Sequence, residues 1–260
     1  MRSMRELAGT AVVVLGGSTS NGATPIGAAV VAALRESGAR VLLGDVEPDE
    51  RVTGGVRFAR TDLTDDTQVA ACLKRAVDEL GSLDVVVNLG GGLSAPGADR
   101  FHWLDSFNAG VVSAAIAARA AHPHLRAAGG AIVNLTSDGI VRRSRWLAPV
   151  GKAALVELTR AIAADFAEDG IRVNSVSPAW TWSEVLDQFT GGSGQEPAGT
   201  GRGTPFHPLG RVADPAEVAE VVLFLCSPAS AFITGSDWAV AGGYTSVNAV
   251  GGTGLSGTGS

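Results

Sequence analysis

The chain has 260 residues, 45% of them hydrophobic and 18% charged, which is enough apolar material for the core of one large α/β domain. A net charge of −6 excludes a broad nucleic-acid-binding face, because an acidic surface repels a phosphate backbone. No apolar run reaches the ~18 residues of a membrane span, and "MRSMRELAGT" lacks the apolar stretch of a secretory signal, so a soluble, cytoplasmic protein is expected.

Strand and helix patterns alternate along the chain. "TAVVVLGG" is a short apolar run ending in glycines, followed by the helical "PIGAAVVAALRESGA". "RVLLGD" and "VRFARTDLTD" are the second and third strands, and "DTQVAACLKRAVDELGSL" is an amphipathic helix. "DVVVNLGGG" is the fourth strand, and "FHWLDSFNAGVVSAAIAARAAHPHL" reads as one long helix. "GAIVNLTSDG", the helix "PVGKAALVELTRAIAADFAEDG" and the strand "IRVNSVSPAW" follow. "DPAEVAEVVLFLCS" is a helix with Asp214 at its N-cap and Pro215 at its first position, and "SDWAVAGG" is the seventh strand. Buried strands separated by helix-length patterns predict a parallel sheet with helices on both faces. Two segments stand outside this order. "TGGSGQEPAGTGRGTPFHP", residues 190–208, belongs to a long Gly/Pro-rich connection of about residues 182–208, expected to act as a lid. Residues 247–260 read as a flexible glycine-rich tail after a single domain spanning 1–246.

In a doubly wound sheet a nucleotide binds beyond the carboxyl ends of the strands, beside the first strand–helix turn. Glycines there let the backbone approach a pyrophosphate, and the helix start offers free N–H groups. The turn here, "GGSTSNGATPIG", has Gly17, Gly22 and Gly27 five residues apart and does not match GxGxxG, so a merely flexible turn stays open. Asp45, at the end of "VLLGD", places a carboxylate where it can accept hydrogen bonds from both adenosine ribose hydroxyls. That charge disfavours a 2′-phosphate and favours NAD(H) over NADP(H), unless Asp45 is only a solvated turn residue of the acidic "DVEPDE" loop. Cys72 and Cys226 lack CxxC spacing and read as buried apolar residues in a reducing compartment. The histidines His102, His122, His124 and His207 have no metal-ligand spacing, and no metal is expected.

At this point the chain resembles the short-chain dehydrogenase/reductase family, from about residue 8 to 246. The resemblance rests on "TDLTD", "DVVVNLGGG", "FNAGVV", "GAIVNLTS", Lys152, "IRVNSVSPAW", "PLGRVADPAEVAEVVLFLCS" and "FITGSDWAVAGGYT", in that order. It implies a Rossmann-type, doubly wound, seven-stranded parallel sheet that binds a nicotinamide dinucleotide, in a homodimer or homotetramer. Gly16, Gly17, Ile26 and Gly27 would form the phosphate loop, and Asp62 and Leu63 would flank the adenine. Asn88, Leu89 and Gly90 would line the cofactor, and the backbone around Pro178, Ala179 and Thr181 would meet the nicotinamide. The implied chemistry uses a serine, a tyrosine and a lysine helped by an asparagine, and Asn108, Ser137 and Lys152 match three of the four. The tyrosine gives or takes the proton at the substrate oxygen, while the lysine binds the nicotinamide ribose and lowers the phenol's pKa. A phenol needs that help because its ordinary pKa is about 10.

The tyrosine is the departure. The position four before Lys152 is Ala148, and the chain's one tyrosine is Tyr244 in "GGYT". The ten-residue step from Gly17 to Gly27 has the length of the family's enoyl-reductase branch, whose tyrosine lies seven before the lysine; here that residue is Arg145. Lys152 is then kept for the ribose, or acts as the proton donor itself. Asp138 is either a turn residue or an acid–base group in the substrate pocket. Arg142, Arg143 and Arg145 either recognise an anionic substrate or form a solvated loop. Trp146, Trp180 and Trp182 fall where the family forms its substrate pocket and would suit a flat aromatic or polycyclic substrate. His207, in the lid, is a further candidate acid. An NAD(H)-dependent oxidoreductase with a non-standard proton donor is the leading expectation. The fold reused for a cyclase, dehydratase or isomerase, or kept as a non-catalytic subunit, remains open.

Overall fold

Seven all-parallel strands form one sheet in the order β3-β2-β1-β4-β5-β6-β7. They are β1 (Ala11–Leu15), β2 (Arg40–Asp45), β3 (Arg57–Arg60), β4 (Val85–Asn88), β5 (Ala131–Leu135), β6 (Arg172–Pro178) and β7 (Asp237–Val240). The computed structural model describes residues 7–18, 24–53, 55–90, 99–127, 129–137, 147–182 and 207–244. Its helices are α1 (Thr24–Glu36), α2 (Glu50–Thr53), α3 (Asp66–Leu80), α4 (Arg100–Phe107), α5 (Ser113–Leu125), α6 (Leu147–Phe166) and α7 (Pro215–Cys226). The expected doubly wound Rossmann-type architecture is present. No helix among the described residues is long and apolar enough to cross a membrane.

Side-chain alternation along the strands builds two cores. Val12 and Val14 of β1 join Leu43, Val87 and Val133 on one face, under Val30 and Leu34 of α1 and Val218 and Val222 of α7. Val13 and Leu15 join Leu42, Val86 and Ile132 on the other, under Leu73 of α3, Ala118 of α5 and Ile162 of α6. Both faces of the central strands are therefore dry, and the edge strands β3 and β7 are partly exposed. Strand order reverses between β1 and β4, so the crevice for a ligand opens above Leu15 and Asn88.

Three element boundaries differ from the sequence pattern. β3 stops at Arg60 rather than running on through Asp65, because the chain turns there. Thr61 donates its N–H to Asp45 O, the Asp62 carboxylate takes the N–H and hydroxyl of Thr64, and Asp65 caps α3. The acidic loop after β2 contains the short helix α2. The helix expected as one piece over 101–125 contains a π turn, Asn108–Val112, in which Ser113 donates to Asn108 O. The extra residue in that turn comes at the candidate site residue Asn108, and such turns are frequent at functional sites.

α7 begins with Asp214 at the N-cap and Pro215 at its first position, as expected, but the cap is more elaborate. Asp214 accepts from Ala216 N–H (2.8 Å), Glu217 accepts from Asp214 N–H (2.8 Å), and Arg211 grips both Glu217 oxygens at 2.6 Å. The Arg211 guanidinium, and after it the Asp214 N–H, lower the Glu217 pKa from 4.5 to about 2. A lowered folded-state pKa stabilises fully above the unfolded value and loses its effect as pH falls through the folded one. Both side chains are 41% exposed, so solvent screening limits the pair to about 1 kcal/mol or less. Thermal melts of Glu217→Gln between pH 4.5 and 2 should fall less steeply than those of the parent chain. Parallel acid limbs would count against this assignment.

Candidate active site at the carboxyl ends of the strands

The first loop is shaped by glycine where a side chain has no room. Gly16 and Gly17 have φ of 81° and 88°, left-handed values that glycine alone adopts without strain. A Cβ on Gly16 would lie 2.8 Å from Gly90 N, and one on Gly27 would lie 2.2 Å from Gly17 O. One on Gly90 would meet Leu63 at 2.9 Å. The start of α1, the end of β1 and the end of β4 therefore meet backbone to backbone. Such a contact leaves N–H groups near a helix start with no side chain in front of them, the requirement of a pyrophosphate. Ile26 packs against the core behind this loop.

Asp45 is buried at the end of β2, and both of its oxygens are engaged. Oδ2 accepts from Ser18 N–H at 2.9 Å and Oδ1 from Val46 N–H at 2.7 Å. Ser18, which the sequence reading passed over, completes the tie: its hydroxyl donates to Glu47 O (3.0 Å) and accepts from Asp49 N–H (2.7 Å). The glycine loop and the loop after β2 are thus held as one unit around a carboxylate. This is more than a solvated turn aspartate. Leu63, half-buried across from Gly90, joins Leu15, Asn88, Ser113 and Leu155 around a small cavity.

At the next strand pair, Asn88 Nδ2 donates to Asn134 Oδ1 (2.7 Å), and Asn134 Nδ2 donates to Thr159 Oγ1 of α6 (2.9 Å). Leu89 donates its N–H to Leu15 O at 2.8 Å, extending the ladder past the strand ends. Asn134 and Thr159 were absent from the expected site. The signal was available in "VVVN" and "AIVN", two apolar runs each closed by an asparagine, which pair at the same register of β4 and β5.

Around β5, Lys152 and Ser137 come to the strand end. Lys152 Nζ donates to Leu135 O at 2.9 Å, and Ser137 Oγ donates to Pro178 O at 3.4 Å. Burial lowers the Lys152 pKa from 10.5 to about 8, and among the described residues no charged side chain contributes to the shift. Asn108 is exposed on the π turn that packs against α6. A second polar group lies behind Ser137, where Asp237 accepts from Ser175 and from Ser177 (2.9 and 2.8 Å), with Thr136 beside them. Asp237 has no apolar counterpart in the "DWAV" strand, and that departure was its only sequence signal.

The strap after β6 is fixed by Ala179 N–H on Val240 O (3.2 Å) and by a bridge between Thr181 and Ala213. Trp182 N–H donates to Ala213 O and Ala213 N–H to Trp180 O, so the two tryptophans flank one residue of an extended segment. Trp180 is exposed, whereas the Trp182 indole N–H is buried without a partner among the described residues. Asp138, Arg142, Arg143, Arg145, Trp146 and residues 183–206 of the expected lid lie outside the described residues, as does the expected tail. His207 is buried against Tyr244 (ring centroids 5.7 Å apart), and a Cβ on Gly242 would lie 3.1 Å from its Nδ1. It belongs to the end of β7 rather than to the Lys152 site. Cys72 and Cys226 are unpaired and buried, as expected, and burial pushes the Cys226 thiol up to about 12. Among the described residues no histidine, cysteine or carboxylate group is arranged to hold a metal.

Known proteins are similar to this chain in sequence and fold. The family model described as Enoyl-(Acyl carrier protein) reductase matches residues 22–245. The cis-4-hydroxycyclohexanecarboxylate dehydrogenase of Sinomonas cyclohexanicum is 37% identical over 262 residues, covering 94% of this chain and all of that one. The L-fucose dehydrogenase of Bos taurus is 32% identical over 249 residues, covering 91% of this chain and 89% of that one. Among solved structures, the ligand-free aldohexose dehydrogenase of Thermoplasma acidophilum superposes with a TM-score of 0.79 at 25% identity, covering 93% of this chain and 95% of that one. A short-chain type dehydrogenase/reductase from Mycobacterium marinum gives 0.78 at 28% identity, covering 93% and 97%.

Proposed function

The chain belongs to the short-chain dehydrogenase/reductase family, and from that premise we propose that it is an NAD(H)-dependent dehydrogenase of ring-borne hydroxyl groups that works without a tyrosine at position 148. The observation that carries the reading is the glycine cradle of Gly16, Gly17, Gly27 and Gly90 beside the buried Asp45 carboxylate. These residues fit a nicotinamide dinucleotide, which supplies the hydride acceptor when bound. Gly16, Gly17 and the start of α1 would hold the pyrophosphate, Asp45 the adenosine ribose, and Asp62 and Leu63 the adenine. Asn88, Leu89, Gly90 and the Pro178–Thr181 strap would hold the nicotinamide half together with Lys152.

On the substrate side, Ser137 offers a hydroxyl to a reacting oxygen, and Asn108 sits on the exposed π turn. Trp180 and Trp182 supply apolar surface, and Trp182 an indole N–H without a partner among the described residues. The relatives' names point to six-membered ring alcohols, one with a carboxylate and one a sugar. Trp182 suits such a ring as well as an aromatic or polycyclic one, because it offers an apolar face and a single hydrogen-bond donor. Exposed Phe101 and Leu104 on α4 and Val150 on α6 support self-association as a homodimer or homotetramer. The two buried, unpaired thiols support a cytoplasmic setting.

A calorimetric titration tests the cofactor half of the reading. NADH should bind and NADPH should bind far more weakly. Cis- and trans-4-hydroxycyclohexanecarboxylate, L-fucose and cyclohexanol should then be screened with the oxidised dinucleotide. Binding of neither dinucleotide would end the reading. The alanine at position 148 favours one competitor, the fold reused for non-redox chemistry. Turnover unaffected by complete removal of nicotinamide would select that competitor.

A further inference from the structure

Lys152 is one of only two lysines in a chain that otherwise uses arginine for its positive charge. Lys74 has an ordinary surface role, paired with Asp78 at 2.6 Å on exposed α3. Lys152 instead points from the first turns of α6 to the carboxyl end of β5, half-buried, and its bond among the described residues is made to a neutral oxygen, Leu135 O. The described elements packed on α6 are β6, α4, the π turn, α5 and the short turn Ala167–Asp169 at its far end, and among the described residues none brings a charged group to bear on Lys152. Arg172 on β6 reaches away to Leu225 O and Ser230, and the charged residues of α4 and α5 do not shift it.

The tyrosine and histidines of the described chain lie elsewhere. Tyr244 is buried and packs against His207 beyond the end of β7, two strands from β5, which is roughly 10 Å across the sheet. His102 is exposed on α4 with Asp99, at 2.8 Å. His122 pairs with Asp169 (2.7 Å), just ahead of β6 and so at the opposite ends of the strands. Ser137 has a hydroxyl too weakly acidic to cycle a proton alone near neutrality. With alanine at 148, no phenol stands between the lysine and the cleft.

We propose that Lys152 is itself the proton acceptor of the dehydrogenase, a role resting on the function proposed above. In alcohol oxidation its neutral amine takes the substrate's O–H proton and becomes ammonium. The substrate's C–H bond breaks as its electron pair leaves as hydride to the oxidised nicotinamide dinucleotide, and the C–O bond becomes a carbonyl. The ammonium then returns its proton to solvent. Desolvation supports this by keeping a large fraction of the amine neutral near pH 8. The neutral carbonyl of Leu135 does not oppose deprotonation as a carboxylate partner would.

Two lysines make the test direct. Protein labelled with ¹³C,¹⁵N-lysine gives two side-chain signals, which Lys152→Arg assigns. In the complex with oxidised dinucleotide, Lys152 should titrate near 8. The pH profile of kcat/KM on the ring-alcohol panel should inflect at the Lys152 midpoint. Lys152→Arg keeps the charge but holds its proton throughout this range. At saturating dinucleotide it should lose ~10²–10⁴-fold in kcat and lose the inflection. Asp138→Asn should keep the inflection. A Lys152 midpoint above roughly 10, an unchanged profile in Lys152→Arg, or loss of the inflection in Asp138→Asn would each overturn the proposal while leaving the dehydrogenase standing. A midpoint near 8 with no turnover of any alcohol would overturn the dehydrogenase reading, and the lysine's role with it.

Discussion

Gly27→Ala is expected to abolish dinucleotide binding and to lower the melting temperature by on the order of 5–10 °C. The added Cβ would lie 2.2 Å from Gly17 O and 2.8 Å from Gly17 C, both backbone atoms. Neither has a rotamer to escape into. Gly17 cannot yield easily either, because it sits at φ 88° and a Cβ on it would already meet Leu89 at 2.9 Å. The start of α1 must therefore move away from the loop, which takes apart the backbone surface meant for the pyrophosphate. Overpacking of this kind costs ~1–3 kcal/mol or more. Gly151→Ala is the matched control, since nothing lies within 4 Å of its added Cβ in the middle of a helical turn. Alanine there should leave stability unchanged or raise it by up to ~1 kcal/mol. NADH fluorescence titrations and thermal melts of the two variants separate steric fit from helix propensity. Full NADH affinity in Gly27→Ala would remove the glycine cradle as the cofactor site.

The contrast between these glycines shows how far the sequence could be read. Every strand and long helix was legible, because buried parallel strands are apolar runs of their own length and the helices repeat at helical spacing. Asp45 was legible as well, being a carboxylate closing an apolar strand. The end of β3 was not, because Asp62 and Thr64 turn the chain through hydrogen bonds that hydropathy does not register. Nor was the π turn at Asn108, where one extra residue leaves the apolar pattern on both sides intact. Ser18 could not be singled out among the serines and threonines of "GGSTSNGAT", since its importance lies in reaching Glu47 O and Asp49 N–H across the sheet edge. The three tryptophans were grouped by analogy. The structure describes two of them, one exposed and one with its N–H buried, a division that their spacing alone did not imply.

If Asp45 faces the adenosine ribose as proposed, Asp45→Asn is expected to turn a preference for NADH into a weak one. A carboxylate about 4 Å from a 2′-phosphate charge is opposed by roughly 4 kcal/mol per unit charge at an effective dielectric of about 20. A discrimination on the order of 10³-fold in favour of NADH follows, at about 1.4 kcal/mol per tenfold. The amide is nearly isosteric and removes that repulsion, so NADPH affinity should rise by roughly 10–100-fold. The variant carries a second, separable effect. Both Asp45 oxygens accept backbone N–H groups, from Ser18 at 2.9 Å and Val46 at 2.7 Å, and an amide has one oxygen. One buried N–H is left facing an NH₂ group, which costs about 1–3 kcal/mol. Thermal stability and NADH affinity should therefore both fall. Ser18→Ala distinguishes the two causes. It deletes the hydroxyl that ties the loops together but leaves the Asp45 charge and the Ser18 N–H in place. It should lower stability and leave the NADH-to-NADPH affinity ratio unchanged. If Asp45→Asn also leaves that ratio unchanged, the carboxylate serves only to bind the loop, and cofactor choice is made by another residue.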